Sequence, residues 1–167
     1  MRNRQYRGEL VRAERAALLG LMATAAMTIL MVITVIPGIP LAFRPFPVEL
    51  VHHAFPRLGL AALAAVTIVV HFGYGAAAGA LFSFVARPMS LGRGLAFGLG
   101  LWIFMQIAFV PWGYGWLEFG LGHGYPWAAL FTLILHLFYG GTLGWLGARD
   151  ELGHHVTFDE TDQLRVA

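Results

Sequence analysis

Four long apolar segments, separated by shorter polar or proline-containing stretches, dominate the pattern of positions along the chain. They cover residues 16–36, 58–86, 95–110 and 127–148. A helix rises about 1.5 Å per residue, so about 20 apolar residues cross the roughly 30 Å hydrocarbon core of a bilayer. The first segment is of span length rather than signal-peptide length, so we expect it to stay uncleaved. The pattern predicts an all-α integral membrane four-helix bundle.

The second and fourth segments contain the same phrase, H-x-x-Y-G-x-x-x-G-x-L, which begins at His71 and again at His136. The first and third segments match less closely, with Gly20 and Gly94 equally far before a proline. A two-helix unit that is repeated in tandem keeps the same orientation in the membrane, as in parallel repeats related by an axis along the membrane normal. The sequence therefore predicts two similar transmembrane hairpins.

Composition and arginine placement add an orientation to this pattern. The chain is 58% hydrophobic and 12% charged, whereas soluble domains carry about 25% charged residues. With four spans, most of the basic residues share one side, and only Arg44 and Arg57 lie on the other. Those on the first side are Arg2, Arg4, Arg7, Arg12, Arg15, Arg87, Arg93, Arg149 and Arg165. The positive-inside rule then predicts an inner-membrane protein with both termini in the cytoplasm.

Three segments outside the spans complete this organisation. Residues 1–15 form an Arg-rich cytoplasmic start, and residues 149–167 form a polar tail that we expect to be loosely ordered. The outer loop 42–57 contains the run P-V-E-L-V-H-H-A-F, which predicts a short helix at the membrane interface.

Several classes of chemistry are disfavoured by the residue content. The chain has no cysteine, which excludes disulfides, thiol nucleophiles and Fe–S clusters. No carboxylate lies within the four apolar segments, which argues against a proton-driven carrier. No nucleotide-binding or hydrolase motif is present, and we read no nucleic-acid partner into the basic start. We therefore expect no enzymatic activity.

The repeated phrase places a histidine, a tyrosine and two glycines in each copy, with the histidine and glycines on one helical stripe. These candidate site residues are His71, Tyr74, Gly75, Gly79, His136, Tyr139, Gly140 and Gly144. Small residues spaced by four are typical of close helix contacts in lipid. We expect the second and fourth spans to meet through these glycine stripes. Each neutral imidazole should then hydrogen-bond a threonine, Gln106 or a backbone carbonyl of an adjacent span.

Two other interpretations of the histidine pair remain open. His71 and His136 could be axial ligands of a haem or pigment held between the glycine-lined faces. A metal site made by these two residues alone is weaker, since no third ligand is evident at the same depth. His52, His53 and His123 lie outside the spans, where solvated interfacial histidines are the more usual finding. We expect no metal and no cofactor, with haem as the alternative.

The chain resembles a group of small uncharacterised bacterial and archaeal membrane proteins that are YagU-like in outline. The resemblance covers about residues 16–148 and rests on the H-x-x-Y-G phrases and on G-x-x-x-T-x-x-M-T in the first span. The residues of that motif are Gly20, Thr24, Met27 and Thr28. What the resemblance implies is a four-helix inner-membrane fold, with no established activity to carry over.

These observations favour a non-catalytic scaffold or accessory membrane subunit. A haem- or pigment-binding electron-transfer subunit that uses His71 and His136 is the first alternative. A channel or carrier for a small solute is the second. The expected partners are the lipid bilayer and either further copies of the chain or a larger membrane complex.

Overall fold

The computed structural model describes residues 2–35, 46–108 and 126–166. Every regular element in these ranges is a helix. In chain order they are α1 (Arg2–Val35), α2 (Phe46–Ala54), α3 (Leu60–Val85), α4 (Leu91–Ala108) and α5 (Pro126–Val166). The predicted short helix between the first two long ones is confirmed as α2.

Four of the helices are long and apolar enough to cross a membrane, as the hydropathy pattern predicts. The stretches that meet this criterion are Gly8–Val32, Leu60–Val85, Leu91–Ala108 and Leu130–Glu151. Helices α3 and α4 have no polar face, because their few polar residues are spread around the helix. A helix that is apolar all round suits burial in protein or in lipid.

Both outer helices run further than the apolar segments. Helix α1 begins at Arg2, so the Arg-rich start belongs to the same helix as the first apolar segment. Helix α5 continues to Val166, so the polar tail is helical in the structure. Both extensions lack proline and contain arginine, glutamate and leucine, which propagate a helix readily.

The long helices pack mainly in the order α3, α1, α5, α4, and α2 packs on α3. Helices α1 and α3 form one antiparallel hairpin, and α4 and α5 form the other. The two hairpins contact each other mainly through α1 and α5, whereas α3 and α4 approach each other closely at a few residues at most. The rings of Phe82 and Phe97 bridge α3 and α4, with centroids 5.1 Å apart.

The buried core is small and rich in alanine, glycine and a few large side chains. Phe82 and Leu143 are fully buried within it, as are the polar residues Thr24 and Ser83. The outer faces carry large exposed apolar side chains, among them Leu18, Ile29, Ile68, Val69, Phe84, Phe104 and Ile134. Such a surface matches hydrocarbon rather than water.

Candidate functional site

Helices α1 and α3 cross with their backbones in direct contact at glycines. A Cβ atom on Gly20 would overlap the carbonyl oxygen of Gly75 and lie 3.0 Å from the Cα of Gly79. A Cβ on Gly79 would in turn overlap the carbonyl oxygen of Ala16 and lie 2.8 Å from the Cα of Gly20. Only glycine therefore fits at these positions, since no side chain separates the two backbones.

Helices α4 and α5 cross in the same way. A Cβ on Gly94 would overlap the carbonyl oxygen of Gly140 and lie 2.8 Å from the Cα of Gly144. A Cβ on Gly144 would overlap the carbonyl oxygen of Ser90. The two crossings thus use residues at corresponding positions of the two hairpins. These correspondences are Ala16 with Ser90, Gly20 with Gly94, Gly75 with Gly140, and Gly79 with Gly144.

The glycine stripes of α3 and α5 do not face each other, so the expectation that the second and fourth spans meet through them is wrong. Each stripe packs inside its own hairpin, against a second row of small residues spaced by four. On α1 that row is Ala16, Gly20 and Thr24. In the second hairpin it is Ser90, just before α4, followed by Gly94 and Gly98 on α4. These rows are visible in the sequence and supply the complementary surfaces that small-xxx-small packing requires.

A tyrosine, rather than a glycine stripe, links α5 to α3. The hydroxyl of Tyr139 donates a hydrogen bond of 2.7 Å to the carbonyl oxygen of Gly75, and the side chain is 3% exposed. Tyr74 occupies the corresponding position in the first hairpin but is 38% exposed. The two tyrosines of the repeated phrase therefore have different surroundings.

His71 pairs with a threonine of the neighbouring helix. Its Nε2 lies 3.0 Å from the Oγ1 of Thr28. The same hydroxyl lies 2.8 Å from the carbonyl oxygen of Thr24, to which it donates. A threonine hydroxyl has one proton, so in this arrangement Nε2 of His71 is the donor to Thr28. A threonine on an adjacent span was one of the predicted partners and is confirmed here.

His136 has a different set of neighbours. Its Nδ1 lies 2.7 Å from the carbonyl oxygen of Thr132, one turn earlier in the same helix. Its Nε2 lies 3.1 Å from the Sδ of Met105 on α4. A carbonyl can only accept, so Nδ1 carries the proton, and Nε2 of the neutral ring presents a lone pair. Met105 is a site residue that the sequence reasoning missed, because methionine was not counted among the ligands.

The two imidazoles lie at the same level of the fold. The bond from Tyr139 to Gly75 joins α5 and α3 one helical turn beyond His136 and His71. The buried hydroxyl of Thr67, one turn before His71, has no hydrogen-bond partner in the described part of the chain.

The threonine that corresponds to Thr67 in the second hairpin is satisfied. The indole Nε1 of Trp102 donates a hydrogen bond of 3.2 Å to the Oγ1 of Thr132. The first hairpin has Thr28, a shorter side chain, where the second has Trp102. In the described part of the chain, the Thr67 hydroxyl on α3 therefore lacks a hydrogen-bond partner, whereas the corresponding Thr132 hydroxyl on α5 has one.

A tetrapyrrole does not fit between the glycine-lined faces. A macrocycle needs two walls separated by the thickness of the ring and its contacts, whereas Gly75 and Gly140 each touch another helix directly. The Nε2 atoms of His71 and His136 also contact different partners, Thr28 and Met105. The proposed slot is absent because helix backbones fill it.

The other predicted candidates lie apart from this level. His52 is half-buried and His53 is exposed on α2, whereas His123 is outside the described residues. In the described ranges no three residues of His, Cys, Asp and Glu come together in a geometry suited to a metal ion.

A separate contact ties the arginine-bearing end of the fold together. The backbone N–H of Met89, just before α4, donates a hydrogen bond of 3.0 Å to the Oε2 of Glu151 on α5. Arg93 donates to the carbonyl oxygen of Pro88 at 2.7 Å. The carboxylate thus lies close to the start of α4, where the helix dipole favours negative charge.

Comparison with protein-family models, with curated proteins and with solved structures finds no match to this chain.

Proposed function

We propose that this chain is a multi-pass protein of the cell inner membrane that serves as a non-catalytic scaffold or accessory subunit. It crosses the membrane four times as two similar hairpins derived from one repeated unit, with both termini in the cytoplasm. Its partners are lipid and either further copies of itself or a larger membrane complex.

The corresponding glycine crossings support the repeat. Both hairpins bring small residues at matching positions into backbone contact. The contact between the hairpins does not follow the repeat, because α1 and α5 form most of it. Duplication of an ancestral hairpin accounts for the matching contacts, since two unrelated hairpins have no reason to share them. Later divergence accounts for differences such as Thr28 against Trp102.

The arginine distribution supports the orientation. Arg87 and Arg93 lie between α3 and α4 or at the start of α4, at the same end of the long helices as the Arg-rich start of α1. Cytoplasmic loops of membrane proteins carry such an excess of basic residues. The acidic Glu151 at that end holds α5 to α4 without contributing to the topology signal.

The single observation that carries the scaffold function is the closeness of the helix crossings. The glycine contacts bring the helix backbones of each hairpin together without a gap. The described parts of the four apolar segments, residues 16–35, 58–86, 95–108 and 127–148, contain no carboxylate. A rigid, tightly packed interior suits a structural part better than a pathway for solute, which requires a polar, water-filled route.

The membrane topology is tested by cysteine labelling, for which the absence of native cysteine is an advantage. Gly59 and Gly92 form a matched pair, since a Cβ at either would meet nothing within 4 Å. In intact cells from which the outer membrane has been removed, an impermeant maleimide should label Gly59→Cys. It should label Gly92→Cys only after the inner membrane is opened. The reverse result would overturn the orientation.

The scaffold function is tested by purification in mild detergent followed by three measurements. We expect a colourless protein, no solute or proton flux above empty vesicles after reconstitution, and migration as a defined oligomer or complex. A Soret band that His71→Ala abolishes would support the haem alternative. Flux above the vesicle control would support a channel or carrier. Either result would refute the scaffold proposal.

A further inference from the structure

One stripe along the outer side of α5 changes from apolar to cationic. Its residues recur every three or four positions, so they lie on the same side of the helix. They are Ile134, Phe138, Gly141, Trp145 and Arg149. The first two and the tryptophan are 47%, 41% and 45% exposed, and the arginine is exposed as well. The bundle therefore leaves this stripe open towards the arginine-bearing end of the fold.

The arginine at the end of the stripe is held over the ring of the tryptophan. The Cζ of Arg149 lies 3.9 Å from the ring centroid of Trp145, a position in which the ring face attracts a cation. Within the described ranges, Arg149 has no carboxylate partner. The nearby carboxylate of Glu151 is turned to α4, where it accepts from the backbone N–H of Met89. The N–H groups of the guanidinium are therefore open to an anion.

The depth of this pair matches the boundary of the membrane. The residue before Trp145 is Gly144, which packs against Ser90 just before the start of the apolar helix α4. Trp145 is therefore level with the end of a spanning segment, and Arg149 lies one turn further out. Tryptophan is enriched at the level of the lipid headgroups. A guanidinium one turn beyond it is at the depth of the lipid phosphates.

The first hairpin has no such pair. Counted from the corresponding glycines, Ala80 and Phe84 of α3 stand where α5 has Trp145 and Arg149. Phe84 is 50% exposed, so the stripe on α3 ends in an apolar side chain. The helix packing that the two hairpins share requires neither the indole ring nor the cation. The pair thus belongs to the second hairpin alone and needs an explanation other than packing.

We propose that Trp145 and Arg149 bind the headgroup of one anionic phospholipid, with its acyl chain along Ile134 and Phe138. A phospholipid presents chain, ester region and phosphate in the same order of depth as the stripe presents apolar, aromatic and cationic side chains. Arginine suits the phosphate because its N–H groups form a planar fork. A zwitterionic headgroup adds an ammonium group for which the stripe offers no carboxylate, so an anionic headgroup such as phosphatidylglycerol is preferred.

The test counts lipids bound to the full chain by native mass spectrometry in mild detergent, with phosphatidylglycerol or phosphatidylcholine added. Wild type should bind one phosphatidylglycerol more tightly than any phosphatidylcholine. Arg149→Gln should weaken the binding of phosphatidylglycerol about fivefold, which corresponds to the ~1 kcal/mol that one arginine contributes near anionic lipid. Since the side chain of Arg149 is exposed, we expect this variant to fold.

Arg12→Gln is the matched control, because Arg12 is an exposed arginine at the same end of the fold, on α1. It removes the same charge but leaves the pair on α5 intact, so its affinity should equal that of wild type. Three results would each overturn the proposal. They are equal affinity of wild type for the two lipids, wild-type affinity in Arg149→Gln, and an equal loss in Arg12→Gln.

Fluorescence quenching locates the bound lipid. The emission of Trp145 is obtained as the difference between wild type and Trp145→Phe in nanodiscs that contain brominated phosphatidylglycerol or brominated phosphatidylcholine at the same mole fraction. The anionic lipid should quench this emission more strongly, and equal quenching would contradict the site. The leaflet that supplies the lipid rests on the orientation proposed above, in which this end is cytoplasmic. Detergent and nanodiscs expose both ends of the protein, so a reversed orientation would leave both binding results unchanged.

Discussion

Replacing Gly140 with alanine tests the helix crossings most sharply. A Cβ on Gly140 would overlap the Gly94 carbonyl oxygen and lie 2.8 Å from the Gly98 nitrogen and 2.9 Å from its Cα. Ordinary van der Waals contact of a Cβ begins near 3.4 Å, and all three obstructing atoms belong to backbone. Backbone cannot rotate away as a side chain can, so α4 and α5 must separate along the crossing.

The magnitude follows from two opposing effects. Overpacking of a rigid contact costs up to about 3 kcal/mol, whereas alanine in place of glycine favours the helix by about 1 kcal/mol. We expect Gly140→Ala to lower the free energy of unfolding by about 2 kcal/mol. The assay is equilibrium unfolding in mixed micelles, followed by far-ultraviolet circular dichroism.

Two other glycines, Gly141 on α5 and Gly100 on α4, provide graded controls. A Cβ on Gly141 would meet only the side-chain ends of Leu95 and Leu91, the nearer at 3.2 Å, so Gly141→Ala should be close to neutral. A Cβ on Gly100 meets nothing within 4 Å, so Gly100→Ala should be neutral or stabilising by up to about 1 kcal/mol. Equal stability of all three variants would refute the reasoning, because the crossing would then tolerate a side chain.

Three further predictions concern single hydrogen bonds. Tyr139→Phe removes the buried bond from α5 to α3 and should cost about 1 kcal/mol in the same unfolding assay. Thr28→Val removes the partner of His71 and should cost about 0.6 kcal/mol, the mean for such bonds between membrane helices, with Thr28→Ser retaining most of the stability. Glu151→Ala removes the acceptor of the Met89 N–H and should cost about 1 kcal/mol, whereas Glu151→Gln keeps an acceptor oxygen and should recover part of it. Unchanged stability in any of the three would show that its bond is replaced by water or absent in the membrane.

The long helices could be predicted from the sequence because each needs only a sufficient run of apolar residues. The short helix α2 could also be predicted, from the amphipathic run in the outer loop. The choice of helix partner was missed, because it depends on which faces of two helices carry small residues at the same level. The rows Ala16, Gly20, Thr24 and Ser90, Gly94, Gly98 contain that information, but only a comparison of both faces reveals it.

The histidine level was predicted in part. The repeated phrase singles out His71 and His136, and the threonine partner of His71 was among the expected ones. The neighbour of His136 could not be predicted, since Met105 lies on a different helix and its position depends on how α4 crosses α5. A methionine in an apolar helix is also ordinary by itself, and only the 3.1 Å contact with Nε2 distinguishes it.

Oxidative cross-linking in native membranes tests the central claim, that each glycine stripe packs against the partner helix of its own hairpin. An ideal Cβ on Gly75 lies 3.0 Å from the Cβ of Thr24, close to the roughly 3.5–4.5 Å of a disulfide. The pair Thr24→Cys with Gly75→Cys should therefore lose its free thiols on oxidation, counted with a thiol-reactive mass tag. The pair Gly75→Cys with Gly140→Cys should keep its thiols. Cross-linking of the second pair without the first would contradict the account.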